Sequence, residues 1–329
     1  MFISLCNTQK KDMKYKFIAA IHYMELENEN TLIPLASGYI SNRKPIIEDI
    51  MYNELSLTTL GLHSIDEIRE APSFYIVDGD WGDNLLPPEI DTIGTSLCFA
   101  LLRQIQHMVG KLWRLKDNSI YVRDGFLYSY TDNIADGCTF KASVSAINTF
   151  SNGEQKIIKI SNSDLLAYGK EMDIFPIGDV INHRQDYRTV TQLQHYKKSS
   201  LCRKDLAEVY VNMARMEGSI PMKILLYCSA MEALVANSTT ELSHRVAERI
   251  AILIGNSQEE RCEIYSNVKN GYDTRSKVAH GDFLKKDEIM IQQYSMILDN
   301  YLRQLLQLEE PYNMDSREID AFYLNKLME

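Results

Sequence analysis

Tyr272-Asp273-Thr274-Arg275-Ser276-Lys277-Val278-Ala279-His280-Gly281 lies in the last third of the chain and carries an arginine and a histidine with four residues between them. An arginine clamps a phosphate through a planar fork of donors, and a histidine moves a proton near neutral pH. Together they are the smallest set of groups that metal-free cleavage of an RNA phosphodiester needs. Gly281 can end a helix that holds both residues. Whether the stretch is a site depends on what surrounds it.

The surroundings read as helix after helix. Ser219 before Pro221 suits a helix start, and Ile224, Leu225, Cys228, Met231 and Val235 follow on one face. Residues 241–254 repeat the pattern with Leu242, Val246, Ile250 and Leu253, and Gly255-Asn256 supplies a stop. Residues 258–270 read as a third helix, ahead of the Arg–His stretch. Residues 287–308 read as a long final helix with a stripe of Ile297, Tyr301, Leu305 and Leu308. A bundle of four to five helices is the natural way to bury such stripes.

The first half is mixed. Residues 74–77 predict a short strand closed by the turn-forming Asp78-Gly79-Asp80. Leu97, Leu101, Ile105, Met108 and Leu112 predict a helix over 94–113. Residues 119–122 and 126–130 predict a hairpin about Arg123-Asp124-Gly125. Residues 140–147 and 156–160 read as further strands around Ser151-Asn152-Gly153, and 163–170 as a short helix. The segment before Ile50 carries no clear pattern. Residues 178–200 are polar, with His183, Arg184, Arg188, His195, Lys197 and Lys198, and read as a connection. The expected fold is α+β: an N-terminal mixed α/β domain over 1–178, a connecting segment over 179–200 and an all-α helical domain over 201–329. A length of 329 residues suits two domains.

A formal charge of −10 argues against a general nucleic-acid coating protein. Locally the balance reverses: residues 261–286 hold six basic and three acidic side chains, a net +3. An exposed helix surface of mixed charge is the plainer reading of that excess. The six cysteines are scattered, without a CxxC pair, and read as reduced and mostly buried thiols of a cytosolic protein. No basic leader with a long apolar run and no bilayer-length apolar stretch is present, so neither export nor membrane insertion is expected. No cofactor or metal is expected: the P-loop, GxGxxG and HExxH patterns are absent, and Asp78, Asp80 and Asp83 match no calcium loop.

An acid embedded in a helix (Ser229-Ala230-Met231-Glu232-Ala233-Leu234), an amphipathic helix over 243–255 and then the Arg–His stretch follow one another in order. This order resembles the HEPN superfamily, most closely its ApeA-like branch, over about residues 201–308. The resemblance implies a helical bundle that forms homodimers, and a metal-independent endoribonuclease without cofactors. It implies that the R-x4-6-H motifs of two chains meet at the dimer interface. The motif residues are then Arg275 and His280. The residue after the motif arginine is commonly Asn; here it is the shorter Ser276. The resemblance further implies an antiphage-defence or toxin effector in the cytoplasm, its N-terminal domain meeting a trigger or an inhibitor. Residues 112–119 are similar to regions that accompany such domains. Some relatives carry a modified tyrosine two residues after the histidine. That position is Asp282, so regulation of that kind is not expected.

The residue types suit the chemistry. Arg275 would hold non-bridging phosphate oxygens, and two copies of His280 would share the base and acid tasks. Five helical steps turn a side chain by about 140°, so one chain is poorly arranged to focus both groups on one phosphate. A symmetric pair removes that difficulty. Ser276, Lys277, Lys269, Asp273 and Glu232 are the supporting or RNA-contacting candidates. Each has a plainer reading. Arg275 could cap carbonyls or pair with Asp273. Glu232 could orient Arg275, or form an ion pair with Arg245 or Arg249. Lys269 and Lys277 could be surface lysines, and His244 and Arg245 a solvated helix start. Arg188 and His195 satisfy a loose form of the same motif within the connection. The alternative function is a non-catalytic dimerisation or RNA-binding module. A different nucleotide-directed enzyme in the N-terminal domain has no motif behind it.

Overall fold

The computed structural model describes residues 13–81, 87–170, 202–237, 240–285, 287–309, 311–314 and 316–328. The fold is α+β, an antiparallel sheet with helices followed by a helical region. The chain divides into two compact units. One is drawn from Met1–Val109, Ile120–Ala146 and Ile157–Val190, the other from Gly110–Ser119, Ile147–Lys156 and Thr191–Glu329. Two short stretches of the first half therefore belong to the helical unit.

The sheet unit is built on β1 (Lys14–Ile21), which runs antiparallel between β5 (Ser73–Asp80) and β6 (Asp124–Tyr130). The pair β3 (Leu32–Leu35) and β4 (Gly38–Ser41) extends the sheet beyond β5, and β7 (Cys138–Ser143) extends it beyond β6. A separate parallel pair joins β2 (Met24–Leu26) to β8 (Ile158–Ile160). Ile18, Ala20, Phe74, Ile76, Phe126 and Tyr128 line one sheet face. They pack on Ile47, Ile50 and Met51 of α1 (Lys44–Met51) and on Ile65 and Ile68 of α3 (Leu62–Glu70). Between these helices lies α2 (Glu54–Thr59), whose buried Ser56 hydroxyl meets the Tyr128 hydroxyl at 2.8 Å. The other face receives α4 (Pro87–Lys111), whose Cys98 thiol points at the Gly125 carbonyl, 3.4 Å away. α5 (Asn162–Lys170) is the short helix expected near residue 163.

Two expectations for this half are corrected, and one unassigned segment gains a role. Asp78-Gly79-Asp80 does not close its strand: β5 runs on through Asp80 in register with Lys14, and Asp78 pairs with Lys16 opposite it. Arg123-Asp124-Gly125 is not a hairpin turn. Gly125 lies inside β6, where a β-carbon would stand 2.6 Å from the Phe17 ring, so a close approach and not a turn requires glycine there. The hairpin is β6–β7, closed near the 3-10 turn Ile134–Asp136, and Tyr121 makes only a single bridge to His22. The unassigned segment before Ile50 supplies the central strand.

The helical unit contains α6 (Arg203–Met216), α7 (Ile220–Val235), α8 (Leu242–Ile254), α9 (Gln258–His280), α10 (Glu288–Gln307) and α11 (Ser316–Met328). α7 is the central element, packed by α6, α8, α9 and α10. The final helix is thus not α10. The break expected after Asn270 is absent, because α9 is continuous from Gln258 to His280. A β-carbon on Gly271 would sit 2.7 Å from Leu298 Cδ1, so this glycine lets α9 and α10 pack closely.

Buried polar contacts draw the two short stretches in. Arg215, 1% exposed, donates to the Gly110 carbonyl at 2.8 Å and to Asn118 Oδ1 at 2.9 Å. Trp113 buries its ring in the helical core and donates its indole N–H to Asp299 Oδ1 at 2.7 Å. The Ser295 hydroxyl donates to the Ser151 carbonyl at 2.6 Å. Of the five described cysteines only Cys98 and Cys228 are buried, while Cys202 and Cys262 are exposed. The expectation of mostly buried thiols therefore fails. Among the described residues no helix is long and apolar enough to cross a membrane. The connection, with Arg188 and His195, lies outside the described residues.

Candidate functional site

α9 presents the Arg–His stretch. Ser257 accepts from the Glu260 N–H at its start, and Glu259 and Glu260 occupy the first turn, where carboxylates suit the helix dipole. The far end is closed by Gly281 in the left-handed region at φ 72°. The Asp282 N–H donates to the Lys277 carbonyl at 2.8 Å and the Gly281 N–H to Val278 at 3.3 Å, the pair of bonds that defines a Schellman cap. His280 is therefore the last helical residue, and it is exposed.

One face of α9 is core: Ile264, Val268, Gly271, Tyr272 and Thr274 are buried. Arg275 follows Tyr272 by three positions and shares that side of the helix. Its guanidinium turns toward α7, where Nη2 lies 3.5 Å from Glu232 Oε1, an ion pair with side chains 35% and 22% exposed. Both expected alternatives for this pair are corrected. Arg275 does not pair with Asp273, which instead meets Lys277 at 3.0 Å one turn on. Glu232 takes neither Arg245 nor Arg249. Arg249 is occupied elsewhere, by the Val235 carbonyl at 2.6 Å, Asn237 Oδ1 at 2.9 Å and Asp320 at 2.6 Å. Its guanidinium also lies over the Tyr323 ring, 4.7 Å from the centroid.

The remaining candidates scatter. Lys269 turns to α8 and donates to the Ser243 hydroxyl at 2.9 Å. Ser276 is exposed. His244 is held by the Tyr265 hydroxyl at 2.7 Å. So Arg275 and Glu232 come together and Asp273 joins Lys277, while Lys269 binds Ser243 and His280 is exposed at the helix end.

Beneath Arg275 lies a cluster of buried polar atoms to which Tyr272, not foreseen from the sequence, contributes. Tyr272 is 6% exposed, and its hydroxyl has no hydrogen-bond partner. Neither has Glu232 Oε1 nor Arg275 Nε, both buried atoms. Burial raises the Tyr272 hydroxyl far above the ordinary tyrosine value, helped by the neighbouring Cys228 and Glu232. Burial likewise pushes the Cys228 thiol up, with Glu232 adding to the rise and Arg275 opposing it. The available signal was the spacing of Tyr272 from Arg275.

A second unforeseen polar group is Asp299, 0% exposed, which accepts from Trp113 and Arg303 and stands near Tyr227. Burial, then the Asp117 charge, pushes its carboxyl up to about 6. Lys223, also 0% exposed, donates to the Ala214 carbonyl at 2.7 Å, and burial pushes its amine down to about 8. Lys223 thus links α7 to α6, and Asp299 links α10 to the Trp113 stretch.

Comparison with known proteins returns no match, whether to a family model, a curated protein or a solved structure.

Proposed function

We propose that the chain is a metal-independent endoribonuclease of the HEPN type, working as a homodimer with Arg275 and His280 at a site shared by two copies. The observation that carries this reading is the arrangement along α9. Arg275 is half-anchored by Glu232, His280 is exposed at the capped end, and about 140° of helix separates them. That is a poor site in one chain and a workable one where two α9 ends meet about a two-fold axis.

The chemistry uses the chain's own groups. One His280 takes the proton from a ribose 2′-hydroxyl, and its oxygen attacks the adjacent phosphorus. The O2′–P bond forms and the P–O5′ bond breaks. The other His280 gives a proton to the leaving 5′-oxygen. Arg275 holds the non-bridging oxygens as negative charge builds on them. The products are a 2′,3′-cyclic phosphate end and a 5′-hydroxyl end, and no redox partner is required. We assign the sheet unit the role of meeting a trigger or inhibitor, and the whole chain that of a cytoplasmic toxin or antiphage-defence effector. This assignment rests on the resemblance in residue order.

The Glu232–Arg275 ion pair also favours a second reading, in which Arg275 is a structural residue of a non-catalytic dimerisation or RNA-binding module. Incubation of purified protein with a mixed tRNA and mRNA pool in EDTA separates the two. The first reading expects cleavage by the wild type, 5′-hydroxyl ends, and loss of both in Arg275→Ala and His280→Ala proteins that still dimerise. Absence of cleavage by the wild-type chain favours the module. Sedimentation that finds only monomer at micromolar concentration would remove the shared site.

A further inference from the structure

Three buried polar atoms meet where α7 and α9 cross, and none makes a hydrogen bond: Tyr272 Oη, Arg275 Nε and Glu232 Oε1. Buried polar groups are nearly always paired, so three in one place call for an explanation. Their chemistry is complementary. The tyrosine hydroxyl and Nε–H are one donor each, and one carboxylate oxygen has two lone pairs to accept them. The set can satisfy itself by a small movement, with Glu232 Oε1 at its centre. At present it is open. Arg275 stands off at 3.5 Å, and the Tyr272 hydroxyl lies close enough to Glu232 to feel its charge but makes no well-formed hydrogen bond to it.

We infer that Tyr272 is a positioning residue of the proposed site: its hydroxyl closes onto Glu232 as a substrate phosphate engages Arg275, and the closed carboxylate locks the guanidinium. The inference rests on the ribonuclease reading above. Its physical basis is the low dielectric around the cluster. Tyr272 is 6% exposed, and Cys228, which adjoins the same groups, is 0% exposed. A hydrogen bond made there is strong and an unmade one is costly. A phosphate on the outer edge of the guanidinium fixes Arg275, which brings Nε toward Glu232 and leaves the tyrosine hydroxyl as the second donor. Bonds of this kind are commonly long in a free enzyme and tighten in its substrate complex. The free state holds the strain and the bound state releases it.

This makes stability and activity move in opposite directions, which a structural tyrosine would not do. Tyr272→Phe removes only an unpartnered hydroxyl from the free protein. Its Tm is expected to equal or exceed that of the wild type, while kcat falls about 10- to 100-fold, the scale of a misplaced reacting group. KM should change far less than kcat. Because Tyr272 acts through Glu232, the Tyr272→Phe/Glu232→Gln double variant is expected to be no slower than the slower single variant. Glu232→Asp, which keeps the charge and withdraws the oxygen, checks the geometry without emptying the cluster. Equal kcat for wild type and Tyr272→Phe would overturn the inference and leave the ribonuclease reading in place. Multiplicative losses in the double variant, or a kcat loss matched by a lower Tm, would also overturn it, assigning Tyr272 to the core. A wild-type chain that does not cleave RNA removes the ribonuclease reading and this inference with it.

Discussion

Replacing Asp299 by alanine and by asparagine should give very different proteins, and the difference can be worked out from its contacts. The carboxylate is 0% exposed and accepts from the Trp113 indole at 2.7 Å and from Arg303. Alanine leaves a buried indole N–H and a guanidinium without their acceptor. Removing one partner of a buried ion pair costs about 3–5 kcal/mol. Asparagine keeps an oxygen for Trp113. It gives up the charge facing Arg303, but also the cost of ionising a carboxyl that burial has moved from 3.8 to about 6. At pH 7 that cost is about 3 kcal/mol, so the asparagine variant should lie within about 2 kcal/mol of the wild type. The chain offers a clean assay, since its two tryptophans fall in different units, Trp81 in the sheet unit and Trp113 in the helical unit. In a Trp81→Phe background, urea unfolding followed by fluorescence reports the helical unit alone. The pH dependence has a definite sign. A carboxyl whose folded pKa is raised contributes stability that is fully present below 3.8 and is lost as pH rises through about 6. The wild type should therefore lose ground to the asparagine variant between pH 4 and pH 7, by on the order of 3 kcal/mol. An alanine variant as stable as the asparagine variant would refute the reasoning, as would a wild-type-to-asparagine difference that stays flat over that range.

Lys223 should give the mirror image. Burial has lowered its amine from 10.5 to about 8, against the opposing charges of Asp117 and Asp299. Above pH 8 the unfolded chain holds the extra proton, so the helical unit should gain stability over a Lys223→Met variant as pH rises from 8 toward 10. Urea midpoints at pH 7.5 and 9.5 check this, and a constant difference would contradict it. Gly281→Ala places a β-carbon on a residue at φ 72° with nothing within 4 Å, so strain alone should cost about 1–2 kcal/mol. Thermal melting checks that value, and a neutral substitution would mean that the cap adjusts. Gly271→Val should be worse, because its branched side chain would run into Leu298, against which even a β-carbon would stand 2.7 Å from Cδ1. A loss of about 3 kcal/mol is expected by urea unfolding, and a Leu298→Ala change in the same chain should recover part of it.

What could be read ahead of the structure follows the range of the interaction. Helices with one wet face announced themselves, because apolar side chains at helical spacing are a local signal: α7, α8 and α10 begin and end within a few residues of expectation. β1 did not. Phe17 to Ile21 are buried on both faces, so the alternation that marks a half-wet strand is missing. α11 buries little beyond Ile319 and Tyr323 and offers no stripe. Glycine misled at Gly125, and the helix boundary expected at Asn270 falls beside a second glycine of the same use. Asp124-Gly125 and Asn270-Gly271 have the composition of a turn and of a helix stop, yet both glycines admit a neighbouring side chain, Phe17 in one case and Leu298 in the other. Nothing local in a sequence separates those uses.

The same limit governs the site. Arg275 and His280 could be found because they are close in sequence and their residue types suggest a chemistry. The partner of Glu232 could be narrowed only to Arg275, Arg245 or Arg249 until the packing of α7 on α9 chose the first. That choice also sets the character of the site. An arginine tied by a full bidentate pair would be a structural residue, and a free one would have to be ordered by its substrate. Arg275 is neither, being held at 3.5 Å from Glu232 in a buried cluster whose two donors and one acceptor make no hydrogen bond. Such a group is oriented in advance, yet it keeps hydrogen-bonding capacity that only a closing movement satisfies. This is why the stability of Tyr272→Phe and its activity should be measured on the same preparation: a cluster built only for packing must lose or keep both together.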